Sequence, residues 1–212
     1  MTETTTADDS PDDPLENFVH SQCARLWNGY QADRAKEVAD LAQLRYTAPT
    51  RGVLSQVSWE FFALKPGLPE QRYDAGDDPA PTELAAAAAL AFYALHQQSR
   101  RTISMHRRGR DHTLGAAAFR ARRASDTQGV ERRMQALLRS QSIDAILDQV
   151  RTLISLLRDD EIPLDYARLA TDLRMAQSPN GLRAVRMRWS RDFYRPGGRP
   201  ADDTDTTSGA TA

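Results

Sequence analysis

The sequence predicts an all-α protein built as two small helical bundles joined near a basic loop. Three observations carry that class. Apolar residues recur at i, i+3, i+4 and i+7 through most of the chain, the period of one helix face. Strict alternation of apolar and polar residues, the mark of a half-buried strand, is almost absent. Prolines and glycines gather at breaks between the periodic segments, as in KPGLPEQRYDAGDDPAP (65–81) and SPNG (178–181).

A first helix is expected over about 14–28. A second follows Asp33, with Ala35, Val38, Leu41, Ala42 and Leu44 at helical spacing, and Pro49 breaks it. VLSQVSWEFFAL (53–64) gives a third, and the proline-rich stretch 65–81 a loop. Pro81 or Thr82 opens an alanine-rich fourth helix running to about Gln98. A basic, glycine-punctuated and flexible loop then leads into a helix over about 113–123. Helices at 127–140 and 143–158 follow. In the second of these, Ile143, Ile146, Leu147, Val150, Leu153, Ile154 and Leu157 form the clearest amphipathic stripe in the chain. IPLDYARLATDLRMAQ (162–177) predicts another helix, SPNG a turn, and 182–195 the last. The expected organisation is an acidic disordered tail at 1–13, a bundle at 14–112 ending in the basic loop, a second bundle at 113–196, and a tail at 197–212.

Composition excludes several classes. The chain has 212 residues, 40% hydrophobic and 27% charged, which is ordinary for a soluble globular protein. Its longest apolar run, LAAAAALAFYAL (84–95), falls well short of the roughly 20 residues that span a bilayer. MTETTTADDSPDDP is acidic and offers no secretory h-region, and the single Cys23 leaves no internal disulfide to form. A soluble protein of the reducing cytoplasm, without a membrane partner, is the expectation. His96, His106 and His112 lie near one another in sequence, but no cysteine pair or carboxylate cluster completes a metal ligand set, and nearby arginines favour an anion. His106 and His112 are therefore read as part of an anion site, and His20 as an isolated surface or boundary residue. No GxSxG, Walker loop or GxGxxG is present. No catalytic residue, cofactor or metal is expected, and Trp27, Trp59 and Trp189 are read as core.

The charge distribution is the informative feature. The net charge is -1, yet RRTISMHRRGRDHTLGAAAFRARR (100–123) holds eight arginines and one acid, Asp111. Residues 100–139 carry eleven arginines against Asp111, Asp126 and Glu131, whereas residues 1–16 carry six acids and no base. Only Lys36 and Lys65 among the 28 basic residues are lysine. Ordinary solvated helix faces mix signs, so unpaired like charges make sense where a polyanion neutralises them. Arginine adds a planar fork that binds phosphate at two points and stacks on bases. Arg101, Arg107, Arg108, Arg110, Arg132, Arg133 and Arg139 are the candidate contacts, with Arg51 added from charge alone. Arg188, Arg191 and Arg195 fall within about 60° of one another on the last helix and form a secondary basic face. A scaffold docking on an acidic partner, and a helix-turn-helix regulator built on DYARLATDLRMAQSPNGLRAVRMRWSRDF, are the alternatives. The latter lacks an early Asn or Gln that could read adenine after Asn180.

Four motifs in order carry a resemblance: LAQLR (41–45), the basic loop closing on TLG (113–115), ERRMQALLRS (131–140), and IPLDYARLATDLRMAQ followed by VRMRWSRDFYR. Together they resemble the CasB family, the small subunit of the type I-E CRISPR surveillance complex Cascade. The resemblance covers about residues 14–196. It implies an all-α, non-catalytic protein present in two copies beside the backbone and large subunits. Such a protein supports the duplex of CRISPR RNA with target DNA and holds the displaced non-target strand. The positions it picks out are Arg45, Arg107, Arg108, Arg110, Arg132, Arg133 and Arg139.

Overall fold

The computed structural model describes residues 13–46, 80–124 and 127–194. The helix expected at 53–64, the loop up to residue 79, Trp59, Arg51, Arg195 and the tails lie outside the described residues. Among the described residues the chain is a helical bundle of α1 (Pro14–Gln31), α2 (Ala35–Tyr46), α3 (Pro81–Gln97), α4 (Leu114–Ala124), α5 (Thr127–Arg139), α6 (Ile143–Asp159), α7 (Tyr166–Ala176) and α8 (Pro179–Tyr194). No helix among them is long and apolar enough to cross a membrane.

Local chemistry sets the ends. The Asp13 carboxylate accepts from Leu15 N–H at 3.0 Å, and Pro14 occupies the first helical position of α1, where a missing N–H costs nothing. Glu83 accepts from the Ala80 N–H at 3.0 Å and so caps α3. The SPNG segment is not a separate turn. Ser178 Oγ accepts from Gly181 N–H at 3.2 Å, and Pro179 starts α8 directly.

α3 is the hub. Ala85 to Ala94 are all at most 2% exposed, and α1, α2, α6 and α7 all pack against the helix. Alanine makes this possible, because its small side chain lets four backbones approach without loss of rotamer entropy. α7 lies against α1 and α3 as well as α8, so the packing of α7 crosses the sequence boundary expected at 112/113. α4, α5, α6 and α8 complete the bundle, with α4 closest to α8. Trp189 is fully buried there and donates its Nε1–H to Asp172 at 2.5 Å, a core role in agreement with its spacing.

The α4–α8 crossing explains the TLG motif. Thr113 Oγ1 caps α4 by accepting from Ala116 N–H at 3.3 Å, and donates to Asp192 of α8 at 2.7 Å. A Cβ on Gly115 would lie 2.4 Å from the Trp189 carbonyl oxygen and 2.7 Å from Asp192 Cβ, so only glycine fits.

One segment departs from expectation. Ile162 to Asp165 are extended, and α7 begins at Tyr166, not at 162. Pro163 has no N–H to give a helix, and Asp165 is the true cap, accepting from Arg168 N–H at 3.1 Å. The extended residues pair with the basic loop instead. Leu164 N–H donates to Met105 O at 3.1 Å, Arg107 N–H to Leu164 O at 3.2 Å, and Asp165 N–H to His112 O at 2.7 Å. Gly109, at φ 124°, turns its N–H onto Asp165 Oδ2 at 3.0 Å. The loop expected to be flexible is stitched down along its length.

Two histidines secure the same seam from inside. His106 Nδ1 accepts from Tyr166 N–H at 3.2 Å, which places its proton on Nε2, 2.9 Å from His20 Nδ1. His20 is therefore not isolated, and His106 points into the bundle instead of an anion site. Burial lowers the His106 pKa from 6.5 to about 4, with nearby His20 and Arg108 acting in the same sense and Asp165 opposing. His96, whose Nδ1 lies 2.8 Å from the Tyr166 hydroxyl, is lowered to about 3, chiefly by burial.

Two outcomes are expected. Gly115→Ala overpacks the α4–α8 crossing and costs about 1–3 kcal/mol, read as a drop in thermal midpoint of several degrees by circular dichroism. The fold holds both histidines neutral, so the unfolded chain binds more protons below pH 6.5. Stability contributed by His106 is complete above that pH and is lost between 6.5 and about 4. Thermal midpoints should fall from pH 7 to pH 5, and His106→Gln should flatten that slope.

Candidate nucleic-acid interface

The stitched loop decides where its arginines go. Residues 105–109 run along the extended 162–165 segment, and a short 3-10 turn, Arg110–His112, carries the chain into α4. Arg107 and Arg110 are exposed, and neither makes an ion pair among the described residues. Arg108, between them, is anchored: its Nη2 lies 3.3 Å from Glu16 Oε2 on α1. Glu16 is 12% exposed in its side chain and also faces Arg168 of α7 at 3.6 Å. One carboxylate thus ties the loop to two helices.

Arg120 fixes the far end of the loop. Its Nη2 donates to Pro163 O at 2.9 Å and to His112 Nδ1 at 3.0 Å. Burial pushes the His112 pKa down, and the Arg120 and Arg107 charges add to that. Burial likewise lowers the Arg120 guanidinium, with Arg107 acting in the same sense and Asp111 opposing. His112 is therefore held as a neutral acceptor, a structural role and not the anion-binding one expected. Arg107 and Arg120 both act on His112, with Asp111 opposing.

A second group rides on α5, whose Val130, Met134 and Leu137 face the core. Arg132 and Arg139 point away from that face, whereas Arg133 is half-buried beside it. They bond within their own helix, Arg132 to Gln128 O, Arg133 to Gly129 O, each at 3.4 Å, and Arg139 to Gln135 Oε1 at 3.2 Å. None of the three meets a carboxylate among the described residues. Arg132 and Arg139 lie within about 20° of each other around the helix.

The remaining candidates divide. Arg45 is half-buried and shares with Arg101 a cleft of about 180 Å³, floored by Leu41, Ala94 and Gln97. Arg101 is committed to the α1–α2 corner, 2.9 Å from Asp33 Oδ1 and stacked 4.6 Å over the Tyr30 ring. Arg188 does not present a free basic face. It hydrogen-bonds Asp172, which is 1% exposed and also lies 3.9 Å from Arg168. Burial pushes the Asp172 carboxyl up, while Arg188, Trp189 and Arg168 pull it back. Arg191 is exposed on α8.

Sequence reasoning missed Glu16, Asp165, Asp172 and Arg120, which position the loop and fasten its flanks. Asp165 carried a signal, an Asp three residues before Arg168 at the head of an apolar run. Asp172 carried one too, its i, i+4 spacing from Arg168, whereas Glu16 and Arg120 carry none, because Arg108 and Pro163 are distant from them in the chain. Among the described residues no three His, Cys, Asp or Glu side chains gather as a metal site, and no nucleophile–base pair is present in the loop.

The arrangement can bind extended anions: exposed guanidiniums on a backbone held by hydrogen bonds, with phosphate recognised by charge and fork geometry. Comparison with known proteins gives that surface a context. The profile of the family described as CRISPR-associated protein Cse2 matches residues 40–194. The crystal structure of CasB from Thermobifida fusca is 32% identical, aligns over 85% of this chain and 98% of its own, and superposes with a TM-score of 0.66. A CRISPR-associated protein of the Cse2 family from Thermus thermophilus is 26% identical over 86% of this chain and 99% of its own, at a TM-score of 0.60. A chain of a CRISPR RNA-guided surveillance complex, 21% identical over 85% of this chain and 94% of its own, shares the fold at a TM-score of 0.62. No curated protein matches the chain. The profile match, and a 32% identical relative aligned over 85% of this chain, place it in the Cse2 (CasB) family of CRISPR-associated proteins.

Proposed function

We propose that this chain is a non-catalytic, nucleic-acid-binding subunit of a type I-E CRISPR surveillance complex in the cytoplasm. In that role it supports the duplex of CRISPR RNA with target DNA and holds the displaced non-target strand. Its partners are the backbone and large subunits, a second copy of itself, the CRISPR RNA and both DNA strands. The two-bundle organisation belongs to the same proposal, with α7 assigned to the α1–α3 group by its packing. The observation that carries the reading is the contrast among the arginines. Arg101, Arg108 and Arg188 are committed to Asp33, Glu16 and Asp172, whereas Arg107, Arg110, Arg132, Arg133 and Arg139 face solvent or their own helix without an acidic partner among the described residues.

Holding a freed strand is enough to matter. The RNA–DNA duplex gained is about as stable as the DNA duplex replaced, so modest binding of the displaced strand biases the exchange. Phosphate contacts supply that binding by releasing counterions, which makes it steeply salt-dependent. Guanidiniums held on a stitched loop lose little entropy on contact, which favours binding further. The helix-turn-helix alternative gains nothing from the geometry, because Leu182, Val185, Trp189 and Phe193 of α8 are buried in the bundle and Pro179 follows α7 almost at once.

The test is fluorescence anisotropy of labelled single-stranded DNA across a salt series. Replacing Arg107, Arg110, Arg132, Arg133 and Arg139 by alanine should lower affinity. It should also flatten the slope of log K against log salt by about 0.7 for each phosphate no longer neutralised. Arg101→Ala should leave the affinity nearly unchanged, since Asp33 already partners its guanidinium. An unchanged slope in the multiple variant would overturn the reading.

A further inference from the structure

α8 has a second surface that nucleic-acid binding leaves unused. Opposite its core stripe, Arg183, Met187, Arg191 and Tyr194 fall within about 80° of one another. Met187 is 55% exposed and Tyr194 51%, two of the most exposed large apolar side chains among the described residues. Between α8 and α5 they border a groove of about 510 Å³, lined by Leu138, Arg186, Met187, Ser190, Arg191 and Tyr194. Arg186 is held in place by its hydrogen bond to the Ser140 carbonyl. Tyr194 is fixed edge-on against Phe193, with ring centroids 4.8 Å apart. Among the described residues no carboxylate lines the groove, and neither Arg183 nor Arg191 makes an ion pair.

We infer that this groove is a protein-docking site for a segment of another subunit that carries an apolar side chain flanked by carboxylates. The inference rests on the subunit reading above. Chemistry selects this occupant. Methionine, tyrosine and arginine without lysine, aspartate or glutamate is the composition of a protein interface core. A nucleic-acid strand would offer phosphates to the arginine rim and base faces or a thymine methyl to Met187 and Leu138, and it is the competing occupant that the single-strand arm of the test reads. By composition the chain's own termini offer little to fill the groove, since 195–212 contains no large apolar residue and 1–12 contains only Met1. Segment 47–79, outside the described residues, holds apolar and acidic residues, and protection of Met187 in the isolated chain would assign the groove to it and overturn the inference. Carboxylates meet the arginine rim by charge complementarity, and the apolar anchor takes the space between the helices.

The test uses the full chain co-expressed with guide RNA and the other subunits of the surveillance complex. Hydroxyl-radical footprinting is read at Met187 and Tyr194 in the isolated chain, in the chain with a single-stranded oligonucleotide, and in the assembled complex. Buried Met105 and Met134 serve as internal controls. Strong protection in the complex alone is expected. Met187→Glu should lower incorporation about tenfold or more, as removal of an interface anchor does, while Met187→Leu incorporates normally. Circular dichroism and single-strand affinity of both variants should match the unsubstituted chain. Protection by the single strand alone, or by self-association at high concentration, would assign the groove to a different occupant and overturn the inference. So would a chain that assembles with Met187 unprotected, or a Met187→Glu variant that incorporates normally. An unsubstituted chain that never joins the complex overturns the subunit reading, and this inference with it.

Discussion

Asp165 does three things at once. One oxygen caps α7, the other accepts from Gly109, and the residue's own N–H donates to His112 O. A helix start and both halves of the basic loop therefore share one anchor. Because Asp165 is 7% exposed and both its carboxylate oxygens accept from backbone N–H groups, leaving the arrangement half-formed would strand a largely buried carboxylate. The position of the loop over 162–165, the entry of the chain into α4 and the direction of Arg107 and Arg110 all follow from it.

Around this anchor, positive charge is sorted by depth. Arginines whose side chains reach inward find Glu16, Asp172, Glu161 or a backbone carbonyl, and become fasteners between helices. Arg107 and Arg110 on the loop, and Arg132 and Arg139 on the outward face of α5, meet no carboxylate among the described residues. Arginine suits a half-buried site because its fork can satisfy two acceptors, and the same fork is matched to phosphate where it is exposed. Only three-dimensional context separates the paired arginines from the unpaired ones.

That separation is why the fold was far more legible than the site. Helix periodicity, Pro14, Pro81 and Pro179 place the described helices within a few residues of their true ends. The error at 162–165 arose because Ile162 and Leu164 continue an apolar pattern into α7 while their backbones pair with the loop. In the site, Arg101 and Asp33 are 68 positions apart, and Arg108 and Glu16 are 92 apart. No local pattern announces pairs at such separations, so clustered arginines looked equivalent when they are not. Gly109 and Gly115 looked alike as loop punctuation too, yet one supplies a positive φ and the other the room for a helix crossing.

The ion pairs also join end to end. Arg108, Glu16, Arg168, Asp172 and Arg188 alternate in sign from the loop through α1 and α7 to α8. The series has an odd number of members and a cation at each end, so no assignment of partners makes it neutral. Counted among the described residues, the series holds three arginines and two carboxylates. Its two ends differ: Arg188 is half-buried on α8, whereas Arg108 lies on the exposed loop beside Arg107 and Arg110. The ties that hold the loop, α1, α7 and α8 together therefore run out to the surface that carries the unpaired loop arginines.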